Sequence, residues 1–219
     1  MIKYCIFDLD GTLLDTLDTI TYYMNKTLEA HGIKPLTRDE CQSFVGKGAR
    51  NLMTRALESR GITDKDTVES ILSEYVADYD SDPYYLTKPY EGIEALIYEL
   101  RAAGMTLGVL SNKPELATRA AITHFFGDAF SLVHGGREGV PLKPSPDATF
   151  AMLREIGASP SEICYIGDSD VDVLTAKNFS PALALFCLWG FRTRDELMAV
   201  GGERFVSHPS EISAAVLNK

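Results

Sequence analysis

The chain has 219 residues, enough for one large domain or for a medium domain with a smaller insert. It is 45% hydrophobic and 24% charged, an ordinary globular composition, and no apolar stretch is long enough to span a bilayer. A formal net charge of -10 and a pI near 4.9 argue against a nucleic-acid surface, whose usual footprint is a basic stripe. The same charge means that an anionic ligand needs a local reversal of the potential, from lysine, backbone N–H groups or a cation.

Met1-Ile2-Lys3 leads directly into a strand pattern, without the long apolar segment and small-residue end of a secretion signal. The cysteines (Cys5, Cys41, Cys164, Cys187) lie in apolar segments with no C-x-x-C pair, which reads as buried reduced thiols of a cytoplasmic protein. The histidines at 31, 124, 134 and 208 have no metal-binding spacing for zinc.

Tyr4-Cys5-Ile6-Phe7 is apolar on both faces, as a strand inside a parallel sheet is. From about residue 15 to 85 the pattern is helical with no convincing strand, and 81–89, with prolines at 83 and 89, reads as the return linker. Leu17, Ile20, Met24 and Leu28 fall at helical spacing, as do Leu52, Ala56 and Leu57, and Val68, Ile71, Leu72 and Tyr75. Beyond it, strand-like runs at 107–110, 132–134, 163–166 and 182–187 alternate with helical patterns at 92–103, 114–126, 147–156 and 171–177. This alternation predicts an α/β fold with a doubly wound, Rossmann-like parallel sheet. The core is expected from 1–14 and 89–219, with an all-helical cap inserted at 15–88.

Ligands of open α/β sheets bind at the carboxyl ends of strands. After the first run comes Asp8-Leu9-Asp10-Gly11-Thr12, whose two acids, two residues apart on an extended chain, point the same way. Asp-Gly also opens hairpins, but the residues after Gly11 have a helical pattern and supply no second arm. After 107–110 comes Ser111-Asn112-Lys113-Pro114, readable as a helix cap, an anion site, or both. Lys143, between Pro141 and Pro144, reads either as a solvated surface charge or as a functional cation. After 163–166 comes Gly167-Asp168-Ser169-Asp170-Val171-Asp172. A calcium loop is excluded, since its sixth position is Val173 and its twelfth is Phe179, and three acids exceed what a helix cap requires. Together these segments supply what phosphoryl transfer needs: a nucleophile, a proton carrier, positive charge and a metal site.

With these four segments in order, the chain resembles the haloacid dehalogenase superfamily, in its phosphatase branch with a helical cap after the first strand. Within that branch Val45-Gly46-Lys47-Gly48, Ser111-Asn112-Lys113-Pro114 and Leu188-Trp189-Gly190-Phe191-Arg192 are similar to phosphoglycolate phosphatases. The resemblance implies Mg²⁺-dependent hydrolysis of a small phosphorylated metabolite such as 2-phosphoglycolate. Asp8 would be the nucleophile that becomes an aspartyl phosphate, and Asp10 the general acid and base. Asp8, the Asp10 backbone carbonyl and Asp168 would hold the metal, with Asp172 supporting them or orienting Lys143. Thr12, Ser111, the Asn112 backbone and Lys143 would hold the phosphoryl oxygens. Gly46, Lys47 and Arg50 read either as the substrate loop of the cap, which would close over the site, or as an inter-helix turn with solvated charges. No nucleic acid or membrane partner is expected, and the chain is expected to be a monomer or homodimer. The same motifs would serve a phosphatase for another ester or pyrophosphate, or a sugar-phosphate mutase. Dehalogenases lack the second aspartate of the first motif, and a signalling receiver domain carries its acceptor acid on a later strand.

Overall fold

The structure, a computed structural model, describes residues 1–217. The chain forms two compact units: Met1–Asp15 together with the chain from Pro89 onward, and Thr16–Lys88.

The first unit opens with β1 (Tyr4–Phe7), followed by the short β2 (Leu14–Asp15) where the chain leaves this unit, and β3 (Lys88–Pro89) where it returns. Then α5 (Ile93–Ala102), β4 (Thr106–Pro114), α6 (Glu115–Phe126), β5 (Leu132–Gly136), α7 (Asp147–Ile156), β6 (Ile163–Gly167), α8 (Asp170–Phe179), β7 (Leu183–Cys187), α9 (Arg194–Ala199), β8 (Phe205–Val206) and α10 (Pro209–Leu217) follow. Six strands form one sheet in the order β5-β4-β1-β6-β7-β8, and every pairing is parallel. This is the doubly wound α/β architecture: from central β1 the chain builds outward through β4 and β5, then returns to β1's other side for β6, β7 and β8. The change of direction beside β1 is where such sheets open a crevice.

Burial explains the strand composition. Cys5, Ile6 and Phe7 are fully buried, as are Ile163, Cys164, Tyr165 and Ile166, because helices cover the parallel sheet and neither side of its strands meets water. On one side, Ile6, Leu110, Leu132, Ile163 and Tyr165 pack with Met152 and Leu153 of α7, Val173, Ala176 and Phe179 of α8, and Leu197 of α9. Two features go beyond the hydropathy pattern. β4 continues through Ser111 to Pro114, with a register irregularity after Leu110. The edge strand β8 is two residues long, too short to show a period.

The second unit contains α1 (Leu17–Ala30), α2 (Arg38–Phe44), α3 (Ala49–Glu58) and α4 (Lys65–Ser81). Leu17, Ile20, Tyr23, Met24 and Leu28 form the buried stripe of α1, and Val68, Ile71, Leu72, Tyr75 and Tyr79 that of α4. The helix starts are specified locally: a Thr37–Glu40 capping box begins α2, and Asp64 accepts from the Thr67 N–H at the start of α4. The connection after α1 is held by Asn25, whose carboxamide accepts from the Leu36 N–H at 2.7 Å and donates to the Leu36 carbonyl at 2.9 Å. Asn25→Ala leaves that nearly buried backbone without either partner, and is expected to cost about 1–3 kcal/mol. A urea midpoint unchanged by the substitution would contradict this.

Candidate active site

Asp8 is the first residue past β1, and its N–H still donates to the Ile166 carbonyl at 2.8 Å. Both neighbours of β1 are parallel, so Asp10-Gly11 is not a hairpin turn. Instead the Leu9 carbonyl accepts from the N–H groups of Thr12, Leu13 and Leu14 at 3.3, 3.0 and 3.0 Å, winding the segment into a compact turn. Gly11 has φ 91° there, and a Cβ on it would run into the Asp168 carboxylate.

Four side chains converge beyond the ends of β1 and β6. Carboxylate oxygens of Asp8, Asp168 and Asp172 all lie within 4.8 Å of one another. The Lys143 ammonium stands 2.9 Å from Asp8 Oδ1 and 2.8 Å from Asp172 Oδ1, and donates to the Tyr165 hydroxyl at 3.3 Å. Its side chain is 2% exposed, so it is no solvated surface charge. Asn112 brings it there. Its Nδ2 donates to the Lys143 carbonyl at 3.0 Å, and its Oδ1 accepts from the Lys143 N–H at 2.8 Å. The Lys143–Pro144 peptide is cis.

Each acid has a different set of partners. Asp172, in the first turn of α8, accepts on Oδ1 from Lys143 and from the Tyr165 hydroxyl at 2.7 Å. Its Oδ2 accepts from the Ser169 hydroxyl at 2.6 Å and from the N–H groups of Ser169 and Asp168 at 3.1 and 3.2 Å. Asp172 thus caps its helix and holds the lysine together. Asp168 takes the Thr12 hydroxyl on Oδ1 at 2.8 Å and the Phe191 N–H on Oδ2 at 2.8 Å. Asp8 receives the Leu9 N–H on Oδ1 at 2.7 Å, beside Lys143. Among the described residues none donates to its Oδ2.

Crowding shapes the titration. Burial, then the charge of Asp172, pushes the Asp8 carboxyl well above the ordinary carboxylate range. The same two causes push Asp168 up to about 7. Burial opposes ionisation of Asp172 too, but Lys143 overcomes it and holds this carboxyl below its usual value. For Lys143, burial works against the charged form, and Asp172 and Asp8 outweigh it, keeping the ammonium well above its normal range. Unit charges about 4 Å apart interact by about 4 kcal/mol at an effective dielectric of about 20. One lysine therefore cannot balance three ionised carboxylates, and the cluster draws either protons or a cation.

The remaining sequence candidates occupy different settings. Ser111 is buried on β4, its hydroxyl accepting from the Lys113 N–H at 3.2 Å. Neither Ser111 nor Asn112 caps α6, whose N-cap is Pro114 with no side-chain bond. Thr12 is fully buried and gives its hydroxyl proton to Asp168. Asp10 Oδ1 is buried without a hydrogen-bond partner, 3.6 Å from the Lys113 ammonium. Gly46, Lys47 and Arg50 lie in the helical unit at and before the start of α3, where Arg50 pairs with Glu69. Hydropathy gives Tyr165 as plain core and hides its hydroxyl contact with Asp172. The segment 188–192 proves to be an anchor: the Trp189 indole donates to the Thr12 carbonyl at 3.1 Å, Phe191 holds Asp168, and Arg192 pairs with Asp170 at 3.2 Å.

The chain and its fold have known counterparts. The haloacid dehalogenase-like hydrolase family matches residues 5–183. A phosphoglycolate phosphatase of Cereibacter sphaeroides is 37% identical over 186 residues, 83% of each chain. One from Rhodospirillum rubrum is 36% identical over 183 residues, 81% of this chain and 76% of that one. A crystal structure from Lactobacillus delbrueckii subsp. bulgaricus, designated a candidate phosphoglycolate phosphatase, superposes with a TM-score of 0.93 at 29% identity, covering 99% of both chains. The chain belongs to the haloacid dehalogenase-like hydrolases. Within them it is a phosphatase, a phosphoric monoester hydrolase. Among the described residues no helix is long and apolar enough to cross a membrane.

The packing and the titration each lead to a measurable outcome. A Cβ at Gly190 would collide with the Asp168 side chain, so Gly190→Ala is expected to lower kcat/KM by about 10²-fold or more by displacing that carboxylate. Activity within threefold of the parent would contradict the packing argument. The second outcome concerns pH. With its carboxyl at about 7 rather than the ordinary 3.8, folded Asp168 keeps a proton that the unfolded chain has already released. Its contribution to stability therefore falls as pH rises between those values and levels off above about 7. In chelator, the thermal midpoint is expected to drop from pH 5.5 to 7.5, less steeply in Asp168→Asn. A midpoint rising equally in both proteins would contradict the assignment.

Proposed function

We propose that this protein is a Mg²⁺-dependent phosphomonoesterase that works through an aspartyl phosphate on Asp8, with 2-phosphoglycolate as substrate. The observation that carries the reading is the buried cluster of Asp8, Lys143, Asp168 and Asp172, in which Asp8 Oδ1 takes the Leu9 N–H and stands beside the Lys143 ammonium.

The donor set fits Mg²⁺. It is all oxygen, and its surplus of negative charge matches a divalent cation. The Asp8 carboxylate, the Asp10 backbone carbonyl and Asp168 would hold the ion. Asp172 takes the Lys143 ammonium directly on Oδ1 at 2.8 Å, which favours its role in orienting that lysine. When bound, the cation neutralises charge on the phosphoryl oxygens.

In the first half-reaction an Asp8 oxygen attacks phosphorus, the phosphorus–ester oxygen bond breaks, and Asp10 gives its proton to the departing alkoxide. In the second, Asp10 takes a proton from water as the water oxygen attacks phosphorus. The Asp8–phosphorus bond then breaks, freeing inorganic phosphate and restoring both carboxyl groups. Lys143, the Ser111 hydroxyl and the Asn112 N–H would hold the phosphoryl oxygens. Thr12 would contribute through its hold on Asp168. The helical unit would serve as a cap reading the rest of the substrate, with Gly46, Lys47 and Arg50 as its contact loop. The four free, buried cysteines favour a reducing, cytoplasmic setting.

A panel of phosphate esters, pyrophosphate and sugar phosphates, assayed with Mg²⁺ and with chelator, tests the reading. Turnover is expected to vanish in chelator, to fall more than about 10³-fold in Asp8→Asn, and to be greatest for 2-phosphoglycolate. Borohydride treatment of quenched enzyme should convert residue 8 to homoserine. Full activity in Asp8→Asn would end the mechanism, whereas a preference for another ester would end only the substrate assignment.

A further inference from the structure

The two half-reactions leave Lys113 without a role, although it is one of the least exposed lysines near the site. It lies near the end of β4, two residues beyond Ser111, and its N–H donates to the Ser111 hydroxyl. Its side chain is 9% exposed, and its ammonium stands 3.6 Å from Asp10 Oδ1. That distance exceeds a hydrogen bond, and the oxygen it faces is buried with no hydrogen-bond partner.

Its position defines what it can touch. The oxygen that leaves phosphorus must come within hydrogen-bond reach of the Asp10 carboxyl that protonates it. The next atoms of the substrate then lie beside Asp10, the carboxyl from which the Lys113 ammonium stands 3.6 Å. Each covalent bond adds about 1.5 Å, so a carboxylate on the carbon next to the ester oxygen falls within reach of the ammonium. A chain of net charge -10 repels such a polyanion at long range, so a cation sited at the leaving group has a task distinct from that of Lys143 at the phosphoryl group.

We infer that Lys113 is a specificity-determining residue, which selects phosphate esters of 2-hydroxy acids over esters of neutral alcohols by pairing with the carboxylate of the leaving group. This rests on the proposed phosphatase reading and deepens it by assigning a residue to the non-phosphate end.

The test compares 2-phosphoglycolate with 2-hydroxyethyl phosphate, which replaces the carboxylate by a neutral group of similar size, on the full chain with saturating Mg²⁺. The parent protein should prefer the carboxylate ester. Lys113→Met should lower kcat/KM for it by about 10²-fold, mainly through KM, and leave the neutral ester within about threefold. Lys113→Gln is measured alongside, so that a folding defect in one variant does not decide the result, and Lys113→Arg should restore part of the preference. Equal losses on both esters would mean that Lys113 acts through Asp10, and would overturn the inference. So would no loss on either, or a parent protein without preference. If the parent hydrolyses p-nitrophenyl phosphate but neither small ester, the phosphatase reading stands and this inference falls. If it hydrolyses none of the three, both fall.

Discussion

Three carboxylates share a buried pocket with a single ammonium, and much of the surrounding architecture serves to hold that unequal company together. Lys143 alone is 2.9 Å from Asp8 and 2.8 Å from Asp172. Without it, both acids would face each other across a medium that screens poorly, at about 4 kcal/mol for a close pair. With it, Asp172 is held below its usual carboxylate value, while burial and the charge of Asp172 keep Asp8 and Asp168 above theirs. A buried ion pair of this kind contributes little net stability. What it contributes here is position: the lysine can satisfy both acids from one place only.

The parallel sheet delivers these groups because its strand ends are in register. Phe7 pairs with Ile166 on one side and Val109 on the other, so Asp8, Asp168 and Ser111 all emerge at one edge of the sheet. Backbone economy does the rest. Gly11 and Gly190 let two loops close around the Asp168 carboxylate where any side chain would intrude, and the Phe191 N–H and Thr12 hydroxyl fix its plane.

Much of this was legible in the amino-acid order. The doubly wound sheet follows from apolar runs alternating with helical periods, and α7 spans Asp147–Ile156, the same residues that the pattern marks. Asp8, Asp10, Lys143 and Asp168 stand out because acids and a proline-flanked lysine follow strands or precede helices. Other features left no such trace. Asn112 reads as a phosphate-binding backbone position, yet its side chain holds Lys143, 31 residues away. The family resemblance implies Thr12 as a phosphate ligand, and nothing in the sequence signals that its hydroxyl donates to Asp168. Tyr165 is indistinguishable from core until its hydroxyl is seen on Asp172. Long-range side-chain pairings carry no period, and β8 is too short to have one.

The Asn112–Lys143 contact has a further implication. One carboxamide gives a hydrogen to a peptide carbonyl and takes one from the same residue's N–H, imitating a rung of β-ladder with a side chain. Aspartate there would offer acceptors but no donor, and glutamine would carry the same amide a methylene too far. The loop that delivers the lysine is thus sewn to the sheet by a stitch only one residue type can make. Lys143 and residue 112 are consequently tied in space: a change at the strand position would unmoor the charge on which the acids depend.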